Sequence, residues 1–472
     1  MVRITFGTSG WRGILAEDFT FDNVRTVTQA IADHLAAQGF LGREVIIGYD
    51  ARFMGKRFSH EAARVLAASG FRVLLCDRDT PTPVISFEIL RRGAAGGVNF
   101  TASHNPAEYN GLKFSPAWGG PALPETTQDI ERRANEMAGE LCARTIPLDR
   151  AFQEGLVAEI DPREAYCAAV EGKVDIDAIR SLGTVAVNPL YGTARWYLAP
   201  LLQRHGVTFR QINDGIDPTF GGFPPEPAEK NIQDFVSLVR SDPAVTLGLA
   251  TDGDADRFGI LDDDGTYLEP NYIIALLLDY LVRVRRMRGG VARSVATSHL
   301  IDAVARHHGI ELFETPVGFK YIGELISQDR IIIGGEESAG LSIRGHVPEK
   351  DGILACLLVA EMRAREGKPL RVLLEELYAR VGRYVTRREN IRLSADLEKR
   401  YAAKLASPPT EIAGSRVERV VTIDGTKLIC ADGSWLLFRK SGTEPVVRLY
   451  GEAPTPGRLA EVMAKGREFI LS

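Results

Sequence analysis

A chain of 472 residues is too long for one hydrophobic core, and at about 150 residues per domain it predicts three or four. With 45% hydrophobic and 25% charged residues it falls outside the disordered and fibrous classes. A net charge of −5 with both signs interspersed gives no reason to expect nucleic acid or a membrane as partner, and the cluster Arg283-Val284-Arg285-Arg286-Met287-Arg288 reads as a solvated helix end, where cations are favoured.

Met1 to Gly13 lacks the apolar core of roughly 7–15 residues that a secretory signal needs. Phe21, Val24, Val27, Ile31 and Leu35 then recur at helical spacing, and the apolar runs at 44–49 and 71–76 read as strands with a helix between them. A further strand at 96–100 leads into Thr101-Ala102-Ser103-His104-Asn105-Pro106. The plan repeats: strands at 184–188 and 207–212 flank a helix near 194–204, and a strand at 245–250 runs into Asp252-Gly253-Asp254-Ala255-Asp256-Arg257.

The third repetition opens with a helix from about Pro270, since proline suits a first helical turn. Its apolar stretch 272–278 is stopped by Asp279, far short of the ~20 residues that span a bilayer. Strands follow at 291–297 and 312–315, and a last one at 331–333 runs into Gly335-Glu336-Glu337-Ser338. The tail differs, with hairpins at 417–422, 428–430 and 435–438 around Asp424-Gly425 and Asp432-Gly433 and a helix from about Gly457. Cys76, Cys142, Cys167, Cys356 and Cys430 are scattered without C-x-x-C spacing, which predicts a reduced, cytoplasmic protein without thiolate metal sites.

Alternating strands and helices imply three α/β domains with mixed, largely parallel sheets, whose ligands lie beyond the carboxyl ends of the strands, followed by a smaller α+β domain. Expected boundaries are 1–150, 151–263, 264–377 and 378–472.

Each motif also has a plain reading. Ser103-His104 alone would be a turn, but a hydroxyl used in covalent catalysis needs cationic partners nearby, and His104 and Lys113 can supply them. Asp252, Asp254 and Asp256 alternate along an extended loop, so three carboxylates share one side and require a cation; hard oxygen ligands select Mg²⁺ or Ca²⁺. An EF-hand is disfavoured by Arg257 at its glycine position and Asp263 at its glutamate position. Glu336 and Ser338 could share hydrogen bonds with adjacent sugar hydroxyls, or cap a helix. Arg439-Lys440-Ser441-Gly442-Thr443, with Arg448, suits a phosphate held by a nest of donors, or a common turn.

Together with Gly7-Thr8-Ser9-Gly10-Trp11-Arg12-Gly13, these motifs resemble, over essentially the whole chain, the α-D-phosphohexomutase superfamily, which includes phosphoglucomutases and phosphomannomutases. The resemblance implies four domains around a central cleft, the last like a TATA-binding-protein fold. It implies that Ser103 carries a phosphoryl group and that Asp252, Asp254, Asp256 and a phosphate oxygen on Ser103 bind one Mg²⁺. Arg12, His104 and Lys113 match positions around the transferring phosphoryl, with Lys113 as general base. Glu336 and Ser338 match the sugar clamp; Arg439, Ser441, Gly442, Thr443 and Arg448 match the site for the other phosphate; Ser9, Arg257, Gly318 and Lys320 also match substrate positions. A histidine found in some branches two residues after the clamp serine is here Gly340, which leaves Lys350 and His346 as candidates for the second half-reaction.

The implied activity is interconversion of hexose 1-phosphate and hexose 6-phosphate through a hexose 1,6-bisphosphate, with glucose 1,6-bisphosphate as activator, in a monomer or homodimer. Lys350-Asp351-Gly352 and the Glu336 segment favour glucose, with mannose or dual specificity as the alternative. A metal-dependent sugar phosphatase is the alternative from another class.

Overall fold

The structure, a computed structural model, describes residues 3–137, 143–440 and 446–471. The first unit is built on a seven-stranded sheet in the order Phe6–Gly7, Gly10–Ile14, Tyr109–Pro116, Gly96–Phe100, Glu44–Tyr49, Arg72–Cys76, Val157–Ile160. The strands from Gly96–Phe100 through Val157–Ile160 pair in parallel, and the others are antiparallel. Within Glu44–Tyr49, Val45 and Ile47 enter one core with helices Phe21–Ala37 and Gly55–Ala68, while Ile46 enters another with Thr82–Arg92. Burial on both faces explains why these strands read as continuous apolar runs. The edge strand Val157–Ile160 carries the first sheet past the boundary expected at 150.

The second sheet runs Tyr267–Leu268, Phe258–Leu261, Val245–Thr251, Thr184–Asn188, Thr208–Gln211, and so extends past 263. The third runs Leu312–Thr315, Gly290–Ser294, Ile331–Glu336, Gly340–Ile343. Helices Pro270–Arg283 and Gly352–Glu366 sit between them, and one hydrophobic core runs from Tyr166 through Leu277 and Leu357 to Tyr378. The second and third units are therefore fused through common packing rather than merely touching. No helix among the described residues is long and apolar enough to cross a membrane.

The C-terminal unit is a wholly antiparallel sheet in the order Val385–Arg392, Val446–Ala453, Trp435–Lys440, Thr426–Cys430, Ser415–Val421, Glu411–Ile412. Helix Pro456–Leu471 packs on one face around Leu436, Phe438 and Leu449. The opposite face buries Trp435, Leu437 and Tyr450 against Val295 and Ala296 of the third unit. Strand Val385–Arg392 begins just after Gly382 at φ 94°.

Candidate active site

In all three α/β units the chemistry lies where a central strand ends. Gly96–Phe100 leads to Ser103, Val245–Thr251 to Asp252, and Ile331–Glu336 ends on Glu336 itself. Ser103 Oγ donates to Asp252 Oδ2 at 2.8 Å and lies 3.3 Å from His104 Nδ1. The serine is 1% exposed and sits at φ 52°, a left-handed conformation that costs about 1 kcal/mol or more and persists only where its surroundings impose it.

Arg52 imposes it. Its guanidinium donates to the carbonyls of Ser103 (2.7 Å), Asn105, Pro106 (2.7 Å) and Tyr109 (2.9 Å). Asp50 pairs with Arg52 at 3.2 Å and accepts from Thr101 Oγ1 at 2.6 Å. Only a planar fork with several fixed donors can tie together four carbonyls of one loop. Arg12 Nη1 donates to Asn105 Oδ1 at 2.5 Å from the other side.

Oxygens of Asp252, Asp254 and Asp256 all lie within 4.8 Å of one another, and all three residues are buried. Burial, Asp254 and Asp256 together push the Asp252 carboxyl well above its ordinary range. Lys113 Nζ donates to Asp254 Oδ2 at 2.6 Å and Asp256 Oδ2 at 2.7 Å, and Lys350 Nζ stands 3.2 Å from Asp256 Oδ2. The second oxygens, Asp254 Oδ1 and Asp256 Oδ1, are buried without a hydrogen-bond partner among the described residues. A buried cluster of three carboxylates in which two oxygens lack partners suits a divalent cation that prefers oxygen. The second acidic group, Asp262 to Asp264, is different: Arg371 spans it by ion pairs.

Thr82 Oγ1 donates to Asp254 Oδ2 at 2.5 Å and accepts from Asn99 Nδ2 at 2.9 Å, while its backbone N–H donates to Asp254 O at 3.0 Å. The first unit thus orients a carboxylate of the second. Gly352 N–H donates to Ala255 O at 3.0 Å, and a Cβ at Gly352 would lie 2.3 Å from Arg257 O. The third unit therefore presses backbone against the same loop.

Four domain families match the chain in order: phosphoglucomutase/phosphomannomutase α/β/α domain I over residues 3–139, domain II over 164–265, domain III over 269–381, and the C-terminal domain over 370–468. The chain belongs to the phosphoglucomutase/phosphomannomutase family. It is a phosphohexomutase of the α-D-phosphohexomutase superfamily, an isomerase that acts by intramolecular phosphoryl transfer. A phosphoglucomutase of Komagataeibacter xylinus is 33% identical over 96% of this chain and 87% of its own. A Pyrococcus abyssi protein assigned as a phosphoglucosamine mutase is 32% identical over 98% and 97%. The crystal structure of a Thermus thermophilus protein assigned as a phosphomannomutase superposes with a TM-score of 0.86, at 32% identity and full coverage of both chains.

In the phosphohexomutase cleft, Glu336 Oε1 accepts from Gly318 N at 2.7 Å, and burial followed by Glu337 pushes its carboxyl up to about 7. Gly318 needs its residue type, because its φ is 129°. Lys320, over the Tyr321 ring, has its ammonium pulled down by burial. Ser9 shares a narrow cavity with Lys113 and Lys350, and Arg257 and Ser338 line a larger one of about 470 Å³. Arg257 Nε stands 3.9 Å from Asp256 Oδ1. Burial and Arg257 hold His104 well below its ordinary value, so its imidazole is neutral at neutral pH. Burial and the same arginine bring Arg12 down to about 10, still a cation.

His346 does not join these groups. Its side chain is 2% exposed and its Nε2 lies 2.7 Å from Asp351 Oδ2, an oxygen that also accepts from Tyr166. That cluster ties the second unit to the start of helix Gly352–Glu366. Arg439 Nε donates to Asp424 Oδ2 at 2.8 Å, and the same oxygen accepts from Val317 N at 3.0 Å. Asp424, which the sequence marks only as a turn, thus joins strand Trp435–Lys440 to the Gly318 loop. Ser441, Gly442 and Thr443, like Cys142, lie outside the described residues.

Proposed function

We propose that this phosphohexomutase interconverts hexose 1-phosphate and hexose 6-phosphate, with glucose as its preferred sugar, through a phosphorylated Ser103 and a hexose 1,6-bisphosphate. The observation that carries the reading is Ser103 Oγ at 2.8 Å from Asp252, inside a triplet with orphaned carboxylate oxygens. Asp252, Asp254, Asp256 and an oxygen on Ser103 would hold a Mg²⁺, which supplies charge stabilisation to the transferring phosphoryl group.

The remaining work falls to side chains. The Ser103 phosphoryl passes to the free O6 or O1 of the bound monophosphate: the bond from phosphorus to the serine oxygen breaks and one to the sugar oxygen forms. Arg12 and Lys113 stabilise the equatorial oxygens. The proton of the attacking hydroxyl goes to His104, which burial keeps neutral, and the imidazolium returns it to the leaving oxygen of Ser103, 3.3 Å from Nδ1. Lys113 is engaged by two carboxylates, which outweigh its burial and hold it as an ammonium; it acts as a cation. After the bisphosphate turns end for end, the other phosphoryl returns to Ser103: its bond to the sugar oxygen breaks, the proton given up by Ser103 goes to that oxygen, and Lys350, held as an ammonium by Asp256 and Glu349, stands beside the sugar as a cation. Glu336 and Ser338 read sugar hydroxyls in both orientations, and Arg439 and Arg448 hold the phosphate that is not transferring.

The related proteins carry glucose, glucosamine and mannose names, and one hydroxyl contact is worth only about 1 kcal/mol net. Initial rates with glucose, mannose and glucosamine 1-phosphates, with Mg²⁺ and glucose 1,6-bisphosphate present, decide the sugar. Isomer formed without stoichiometric inorganic phosphate supports the mutase, and phosphate released without isomer supports a phosphatase. Ser103→Ala is expected to abolish turnover; wild-type rates in that variant would overturn the phosphoserine reading.

A further inference from the structure

Strand Val385–Arg392 contributes a residue to each rung of the C-terminal sheet. Thr386 faces Glu452, which faces Trp435; Arg388 faces Tyr450, which faces Leu437; Asn390 faces Arg448, which faces Arg439. Residues in register across antiparallel strands share one face. The first rung docks on the third unit, where Asn271 Nδ2 reaches Thr386 Oγ1 at 3.4 Å and Glu452 accepts from Ser298 and His299. The third rung carries the two arginines assigned above to the resting phosphate. Arg388 and Asn390 stand on the same face, are exposed, and line the 470 Å³ cavity opposite Arg257 and Ser338.

Arg388, Arg439 and Arg448 share this sheet face, and Arg257 lines the cavity with Arg388. The Arg388 guanidinium carbon lies 5.9 Å from the Tyr450 ring centre. Burial and Glu337 raise the Tyr450 phenol to about 12, while Arg388, Arg448 and Arg439 oppose that rise. Arg439 is partly neutralised by Asp424 and Arg257 leans toward Glu226 at 3.8 Å, yet among the described residues no carboxylate lies within ion-pair distance of Arg388. An unneutralised guanidinium beside a phosphate site, facing the sugar clamp, is suited to a phosphate monoester.

We infer that Arg388, supported by Asn390, is a further substrate-binding residue that holds a phosphate group of the sugar ligand from the C-terminal wall of the cleft. The inference rests on the hexose-phosphate reading but not on the choice of sugar, because the group recognised is the phosphate. It also gives the bisphosphate a cation between the aspartate loop and the resting-phosphate arginines during its reorientation.

The test compares wild type with Arg388→Ala and Arg388→Lys, using whichever of the three hexose 1-phosphates turns over fastest in the wild type. A failure of the glucose reading then shows in the wild type alone. Binding of that monophosphate and of glucose 1,6-bisphosphate is measured by calorimetry, with KM and kcat from initial rates. The Ala variant is expected to bind both ligands about 10-fold more weakly or worse, as loss of a charge-assisted contact predicts, with an unchanged melting temperature because the side chain is exposed. The Lys variant, which keeps charge but loses the fork, falls between. If both ligands bind the Ala variant within about twofold of wild type, or if only kcat changes, the assignment is overturned and Arg388 serves domain closure instead.

Discussion

Burial works against ionisation of Glu336, and replacing it by glutamine should separate stability from function. The residue is 4% exposed, and burial followed by Glu337 raises its carboxyl from 4.5 to about 7, against the pull of the Gly318 N–H, Lys350 and Arg257. That displacement corresponds to about 3 kcal/mol. Between these two values the folded protein keeps a proton that the unfolded chain has released, so stability falls as pH rises through the window, and above about 7 the whole cost is present. Glu336→Gln removes the ionisation but keeps an oxygen to accept from Gly318. The variant should melt several degrees above wild type near pH 8 and coincide with it near pH 4.5, while its mutase kcat/KM falls by about 100-fold or more, because the clamp loses a charged acceptor. Circular dichroism melts across that range and a coupled isomerase assay read the two effects. Melting curves displaced by the same amount at every pH, or a variant less stable near pH 8, would mean that ionisation of Glu336 carries no cost in the folded protein.

Thr82→Val removes the hydroxyl that orients Asp254 and should weaken Mg²⁺ activation by about 10–100-fold, read from the Mg²⁺ dependence of the rate, with Thr82→Ser close to wild type. Arg52→Lys keeps the charge but cannot span the carbonyls of Ser103, Pro106 and Tyr109. Its kcat should fall at least about 10-fold, since small misplacement of a reacting group is costly, and a normal kcat would remove Arg52 as the source of the Ser103 conformation.

The sequence announces the strand-end motifs because their residues are chemically unusual together: an acidic triplet, a serine beside a histidine, and a carboxylate straight after an apolar strand. It is silent on residues whose role depends on partners brought from afar. Arg52 is one arginine among many until it meets the loop some fifty residues on, and Thr82 looks like an ordinary helix start. Strand Val385–Arg392 is equally obscure. Its Arg387, Arg388, Glu389 and Asn390 suppress any apolar pattern, because its buried face covers only the small C-terminal core while the other faces the cleft. The first unit's boundary is hidden for a similar reason: Val157–Ile160 is a short edge strand with a half-polar pattern, attached across a long stretch of chain.

Charge balance in the aspartate loop leads to a last expectation. Asp252, Asp254 and Asp256 bring three carboxyl groups into a buried site, where burial and its two neighbours push Asp252 toward its neutral form and Lys113, Lys350, Arg257 and Arg12 answer the remaining charge. Esterifying Ser103 adds about −1.5 to −2 at a residue that is 1% exposed, where an uncompensated dianion is prohibitive. A divalent cation held by Asp252, Asp254 and Asp256 would bring a charge of nearly equal size and opposite sign. Each therefore removes most of the penalty of the other, and the two should bind cooperatively. Enzyme phosphorylated with glucose 1,6-bisphosphate should hold Mg²⁺ at least about 10-fold more tightly than phosphatase-treated enzyme, with Ser103→Ala matching the treated form by calorimetry. Equal affinities in the two forms would place the serine phosphate outside the field of the triplet, and the proposed roles of Ser103 and the aspartates would then have to be separated even if turnover were intact.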